Sequence, residues 1–197
     1  MTQAISIERP MLSGSHRSRP SMLGVGVMIW LGSELMFFSG LFAAYYTIRA
    51  HAVTWPPAGD KLDIIQSAIF TWILVMSSVT MQKAVWNIEH GLRRSARWWL
   101  GLTFVMGATF VLSQAVEWTK VPFATSTDAF GSLFYMMTGI HGLHVIVGLV
   151  AMIALAGRMV GPAGDPGEQA VFQAVSYYWH FVDIVWVALY LSLFLVH

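Results

Sequence analysis

Tyr177-Tyr178-Trp179-His180-Phe181-Val182-Asp183-Ile184-Val185-Trp186 sets an imidazole and a carboxylate inside an otherwise apolar run near the end of a 197-residue chain. His180 and Asp183 are three apart, so on a helix they share one face, which Ser176, Val187 and Tyr190 extend. Left unpaired at that depth, the two groups cost several kcal/mol, so a second helix is expected to meet them. The preceding apolar stretch offers His141 and His144, also three apart, in the run Gly139-Ile140-His141-Gly142-Leu143-His144-Val145. With Gly148 and Ala151 they occupy one narrow sector, polar at one end and small at the other. The last two helices are therefore expected to pack antiparallel, their polar stripes facing each other or a further helix between them. The rest of the last helix is expected to face lipid.

With 56% hydrophobic and only 11% charged residues, the chain is too apolar for a soluble domain of its size and reads as an integral membrane protein. A net charge of +1 provides no basic surface for nucleic acid, and that class of partner is set aside. Cysteine is absent, which removes disulfides, thiolate nucleophiles, iron–sulfur clusters and cysteine-ligated metal. Histidine and carboxylate ligands remain available.

The fold class follows from the apolar runs. An all-α membrane protein is expected, a bundle of five transmembrane helices at about 22–48, 62–85, 98–121, 131–156 and 175–196, each reaching the ~20 residues that a bilayer core requires. These form one domain over 22–197, preceded by a cytoplasmic tail over 1–21. Arg9, Arg17 and Arg19 of the tail, four basic residues around Arg93, and Arg158 total eight on one side; Arg49, Lys61 and Lys120 stand on the other. That imbalance puts the N-terminus inside and, with five spans, the C-terminus outside. Pro56, Pro57 and Gly59, and then Gly161, Pro162, Gly164, Pro166 and Gly167, supply turn chemistry between spans.

Glu34 lies about 16 Å into the first span at 1.5 Å per residue, close to the midplane. There a carboxyl group either keeps its proton or is held by a histidine or ordered water. It reads as a proton-handling or lipid-contacting group, or as a hydrogen-bonding group that fixes packing. On the third span Gln114 and Glu117 share a stripe with Thr103, Gly107 and Phe110, and Glu117, beside Trp118 and Lys120, reads as a solvated interfacial anchor. His141, His144, His180 and Asp183 could hold metal or haem in principle, but facing Glu-x-x-His pairs are missing and a buried hydrogen-bond network is the simpler reading. Trp98 and Trp99 suit an interfacial belt, Trp179 and Trp186 interior packing.

Three blocks in this order resemble subunit III of the haem–copper terminal oxidases, most closely the short five-helix actinobacterial form. They are Trp30 to Phe42 with Ser33, Glu34 and Phe38; Thr138 to Gly148 with Gly-Ile-His-Gly-Leu-His-Val; and Tyr177 to Trp186 with Trp-His-Phe-Val-Asp. Gln114 and Glu117 fit a further block of that family. The resemblance implies a subunit of a proton-translocating cytochrome c oxidase in the bacterial plasma membrane. It implies no catalytic residue, metal or cofactor in this chain: haem and copper belong to partner subunits. Glu34 corresponds to the family's intramembrane carboxylate, and His141, His144, His180 and Asp183 to its polar bundle residues. Implied partners are subunit I by direct docking, subunit II and small subunits of the same complex, phospholipid, and a cytochrome bc-type complex in a larger assembly. Many members have seven spans with lipid in a cleft beside the first two, so a closed cleft here requires neighbouring subunits.

A quinol oxidase uses a similar five-helix subunit, and some nitric oxide reductases a related one; the residues do not distinguish the electron donor. Two other classes stay open: a self-sufficient membrane haem or metal enzyme built on His141, His144 and His180, and a proton-coupled carrier built on Glu34 and Asp183. The absence of internal repeats disfavours the carrier.

Overall fold

The computed structural model describes residues 22–55, 63–125, 127–161 and 167–195. All regular structure among them is helical: α1 (Met22–His51), α2 (Ile64–Glu89), α3 (Arg93–Lys120), α4 (Ala129–Arg158) and α5 (Glu168–Tyr190), the last continuing as a π-helical stretch, Leu191–Leu195. Five helices are long and apolar enough to cross a membrane, α5 together with its extension counting as the fifth. The tail over 1–21 and the turn residues Pro56, Pro57, Gly59, Pro162, Gly164 and Pro166 lie outside the described residues.

The helices overrun the spans expected from hydropathy, most clearly α3, which starts at Arg93 rather than near 98, and α5, which starts at Glu168 rather than near 175. A 28-residue helix is about 42 Å long, against a hydrocarbon core of about 30 Å. Hydropathy marks where lipid begins, whereas Arg93, Arg94, Ser95 and Arg97 continue the helix into the interface, where charges are solvated. Local chemistry sets the ends: Asp63 caps α2 through the Gln66 N–H at 3.0 Å, and Asp128 caps α4 through the Gly131 N–H at 2.7 Å. Between α2 and α3 the turn is tight. Gly91 adopts φ 75°, and the Leu92 N–H reaches back to the Asn87 carbonyl at 2.8 Å, the six-to-one bond of a Schellman stop.

Helices α2, α3, α4 and α5 close a ring in which each packs on its chain neighbour and α5 returns to α2; α1 lies outside, against α5 and the edge of α4. The seam of α1 is narrow. Gly24, Leu31, Phe38 and Tyr45 are buried at intervals of seven, with Val27, Glu34 and Leu41 half-buried between them, a 3.5-residue repeat that leaves the rest of the helix outward. By contrast α5 is the most enclosed span and α1 the least. The expectation that α5 buries only one stripe and otherwise faces lipid is therefore corrected: three helices contact α5, and Phe172, Trp179, Val182, Val185, Trp186 and Leu189 are all buried.

Candidate functional site

The histidine and carboxylate stripes of α4 and α5 do not face each other. Although α4 and α5 pack directly, His144 of α4 turns toward α1 and His180 and Asp183 of α5 turn toward α2, while His141 of α4 lies against Trp186 of α5 and Phe110 of α3. The polar interior is therefore two clusters rather than one network.

The first cluster lies where α1 meets α4 and α5. His144 Nε2 stands 3.3 Å from Glu34 Oε2, and both side chains remain partly exposed, 16% and 22%. His144 Nδ1 is 2.8 Å from the Ile140 carbonyl, which can only accept, so Nδ1 carries hydrogen. Nε2 is then either an acceptor, with Glu34 supplying the proton, or the second N–H of an imidazolium facing a carboxylate. Either way one proton is shared across the contact. Phe38 meets the ring edge-on at 5.1 Å, Tyr178 donates to the His144 carbonyl at 2.9 Å, and Trp30 stacks on Tyr178 at 5.4 Å. We expect Glu34→Ala and His144→Ala, made singly and together, to show a coupling of about 1 kcal/mol in unfolding, the scale of intramembrane polar pairs. Additive effects would mean that the two groups do not interact.

The second cluster lies between α2 and α5. The Ser78 hydroxyl donates to Asp183 Oδ2, and His180 Nδ1 is 2.9 Å from the same Ser78 oxygen. His180 Nε2 lies 3.1 Å from Ser176 Oγ and 3.4 Å from Gln82 Oε1. Asp183 is buried, and its Oδ1 has no partner among the described residues. Ser78 and Gln82 carry no sequence signal, because a serine in a transmembrane helix ordinarily bonds its own backbone. Their location opposite His180 depends on the α2–α5 register.

His141 belongs to neither cluster. It is buried between Trp186, with ring centroids 5.0 Å apart, and the edge of Phe110, at 6.1 Å, and neither ring nitrogen has a partner among the described residues. The α3 stripe is as expected: Thr103, Gly107, Phe110, Gln114 and Glu117 are all buried. Glu117 is nevertheless not a solvated anchor, being only 5% exposed. The hairpin of α3 against α2 folds it inward; the solvated contact at that end is Lys120 Nζ to Gln66 Oε1, at 2.6 Å. A further pair carried no sequence signal: Arg93 grips Glu168 at the opposite end, at 2.8 Å.

His141, His144 and His180 thus occupy three different surroundings, and no group of three histidine or acidic side chains among the described residues is placed to hold a metal. A sequence model of the family described as Cytochrome c oxidase subunit III matches residues 3–196. The chain belongs to that family. A relative named Probable cytochrome c oxidase subunit 3 from Mycobacterium tuberculosis (strain ATCC 25618 / H37Rv) is 42% identical over 206 residues, covering 100% of both chains. Another of that name from Nocardia farcinica (strain IFM 10152) is 44% identical over 183 residues, 91% of this chain and 90% of the relative. Cytochrome c oxidase subunit 3 of Thermostichus vulcanus is 33% identical over 177 residues, 89% and 88% of the two chains. As a cytochrome c oxidase subunit III family member, the chain is a multi-pass membrane protein of a respiratory oxidoreductase complex, and both polar clusters lie at seams between its helices.

Proposed function

We propose that the chain is the non-redox subunit III of a proton-translocating cytochrome c oxidase in the bacterial plasma membrane. In this reading the N-terminus is cytoplasmic, the C-terminus is outside, and the chain docks on the haem- and copper-bearing subunit I beside subunit II. There it supports proton uptake and holds phospholipid. The observation that carries this reading is how the intramembrane polar groups are used. Glu34 is held by His144 and Asp183 by Ser78, while the three candidate histidine ligands diverge. Such an interior suits a support more than a redox centre. The partly exposed Glu34–His144 pair, with Glu34 on a helix attached by one seam, suits contact with lipid or a neighbouring subunit.

The test is a mild-detergent pull-down through a tag on this chain, with an optical spectrum and subunit identification of what co-purifies. A-type haem with a copper-bearing subunit II is expected, and that subunit identifies the donor as cytochrome c or quinol. Glu34→Ala is expected to leave haem content unchanged and to weaken retention of this subunit. If the chain emerges alone with its own Soret band, the proposed role is wrong.

A further inference from the structure

The seam between α2 and α5 carries imidazole and carboxylate groups over half its length only. On α5, Gln173, Ser176, His180 and Asp183 follow one another at spacings of three and four, which aligns them on one face. The facing groups on the antiparallel α2 are Glu89, Gln82 and Ser78. Glu89 accepts from Gln173 at 2.8 Å near the Arg93–Glu168 end, Gln82 meets His180, and Ser78 joins His180 to Asp183. Gln82 is exposed and His180 half-buried, so this half of the seam opens to the bundle exterior. Beyond Asp183 the seam closes. Leu74 is fully buried, and Trp186 fills the groove with its indole N–H on Thr71 Oγ1 at 2.9 Å.

Hydrogen directions within this chain are determined by valence. Ser78 gives its only hydrogen to Asp183, so the bond between His180 Nδ1 and Ser78 oxygen carries the imidazole hydrogen; a neutral His180 then accepts at Nε2 from the Ser176 hydroxyl, and Gln82 Oε1, itself an acceptor, bonds Nε2 only when that nitrogen is protonated. We propose that Asp183 is a proton-binding site loaded from the Arg93–Glu168 end through His180 and Ser78, and closed toward the other end. A proton from water at the Gln82 and Ser176 mouth bonds to Nε2. The Nδ1 hydrogen then moves to Ser78 oxygen while the Ser78 hydroxyl hydrogen moves to Asp183 Oδ2. One proton enters and one O–H bond forms on the carboxylate; the reverse sequence unloads it and restores the Nδ1–H imidazole. Five other titratable groups on the helices packed against α5 have contacts of their own. Glu34 and His144 pair with each other, Tyr45 donates to the Ser192 carbonyl at 2.8 Å, His141 lies tilted against Trp186, and Lys83 lies 4.5 Å over Trp99.

The proposal goes beyond the role of subunit III and holds for any complex that contains the chain. The test is infrared spectroscopy of the purified assembled complex during transfer from H2O to D2O, reading the carboxylic C=O band that Asp183→Asn removes. Ser78→Ala and His180→Phe are each expected to slow deuteration of that band at least about tenfold, the rate equivalent of about 1.4 kcal/mol of barrier. His51→Phe, at the exposed end of α1 and outside both clusters, is expected to leave the rate unchanged. Should Asp183→Asn fail to assemble, carboxyl-13C aspartate in the otherwise native complex locates the band, and Ser78→Ala alone decides. Unchanged exchange in both relay variants would overturn the proposal and leave a packing network. The absence of any carboxylic band belonging to Asp183 would overturn it as well.

Discussion

Trp179→Ala is expected to cost about 3 kcal/mol, the largest effect of any single side-chain removal in this bundle. The residue is fully buried, and its indole slides between two glycines on different helices. A Cβ on Gly107 of α3 would stand 2.5 Å from the ring tip, and one on Gly148 of α4 would stand 2.8 Å from its inner edge. The indole N–H bonds Ser77 of α2 at 2.8 Å, so one side chain of α5 ties the three other helices of the ring together. In a bilayer the transfer part of the usual penalty shrinks, since lipid is as apolar as the interior, but the cavity part and the freed Ser77 acceptor remain. The converse substitution, Gly148→Ala, is expected to cost about 1–3 kcal/mol by overpacking, because the anchored ring has nowhere to go. The check is a double-mutant cycle read as dissociation of the purified protein in graded denaturing detergent. Gly148→Ala should cost much less in a Trp179→Phe background than alone, and equal costs in the two backgrounds would mean that the ring does not hold the slot.

Arg93→Ala comes second, at about 2–3 kcal/mol. Nε and Nη2 of Arg93 both reach Glu168 Oε1, at 3.2 and 2.8 Å, while Nη1 reaches the Gly161 carbonyl at 3.1 Å. One guanidinium therefore joins the starts of α3 and α5 to the segment leaving α4. Glu168 is buried, so loss of Arg93 leaves a carboxylate without its counter-charge; the figure stays below that of a fully buried pair because Arg93 keeps some exposure. Arg93→Lys should recover only part of the loss, since one ammonium does not reproduce a three-point fork. Glu168→Gln should be the mildest, because a neutral amide needs no counter-charge. The measurement is limited proteolysis between α4 and α5 together with the dissociation midpoint. Equal protection in Arg93→Ala and the native protein would rule out this clamp.

Much of the bundle was legible because lipid imposes a simple rule on composition. Runs of about 20 apolar residues identified five spans, and helical periodicity grouped Thr103, Gly107, Phe110, Gln114 and Glu117 on one stripe of α3, although the burial of Glu117 was not read. Trp179 and Trp186 read correctly as packing residues. What went unread were the second partners: Ser77, Ser78 and Gln82 on α2, and the Arg93–Glu168 clamp. Serine carries no signature at membrane depth, and Arg93 and Glu168, 75 positions apart, come together only when α3 and α5 begin at the same end of the bundle.

The sequence by itself determined that this chain is a helical membrane protein of the subunit III family, with its intramembrane carboxylates and imidazoles on definite helices. Only the tertiary structure decided that Glu34 belongs to His144, that Asp183 belongs to Ser78 and His180, and that His141 belongs to neither cluster. The physical reason is that a helix's periodicity assigns each polar group to a face, while its neighbour is chosen by how the helix is rotated in the bundle. That rotation is set by close fits such as the heptad seam of α1 and the glycine slot around Trp179, which no single helix's periodicity specifies.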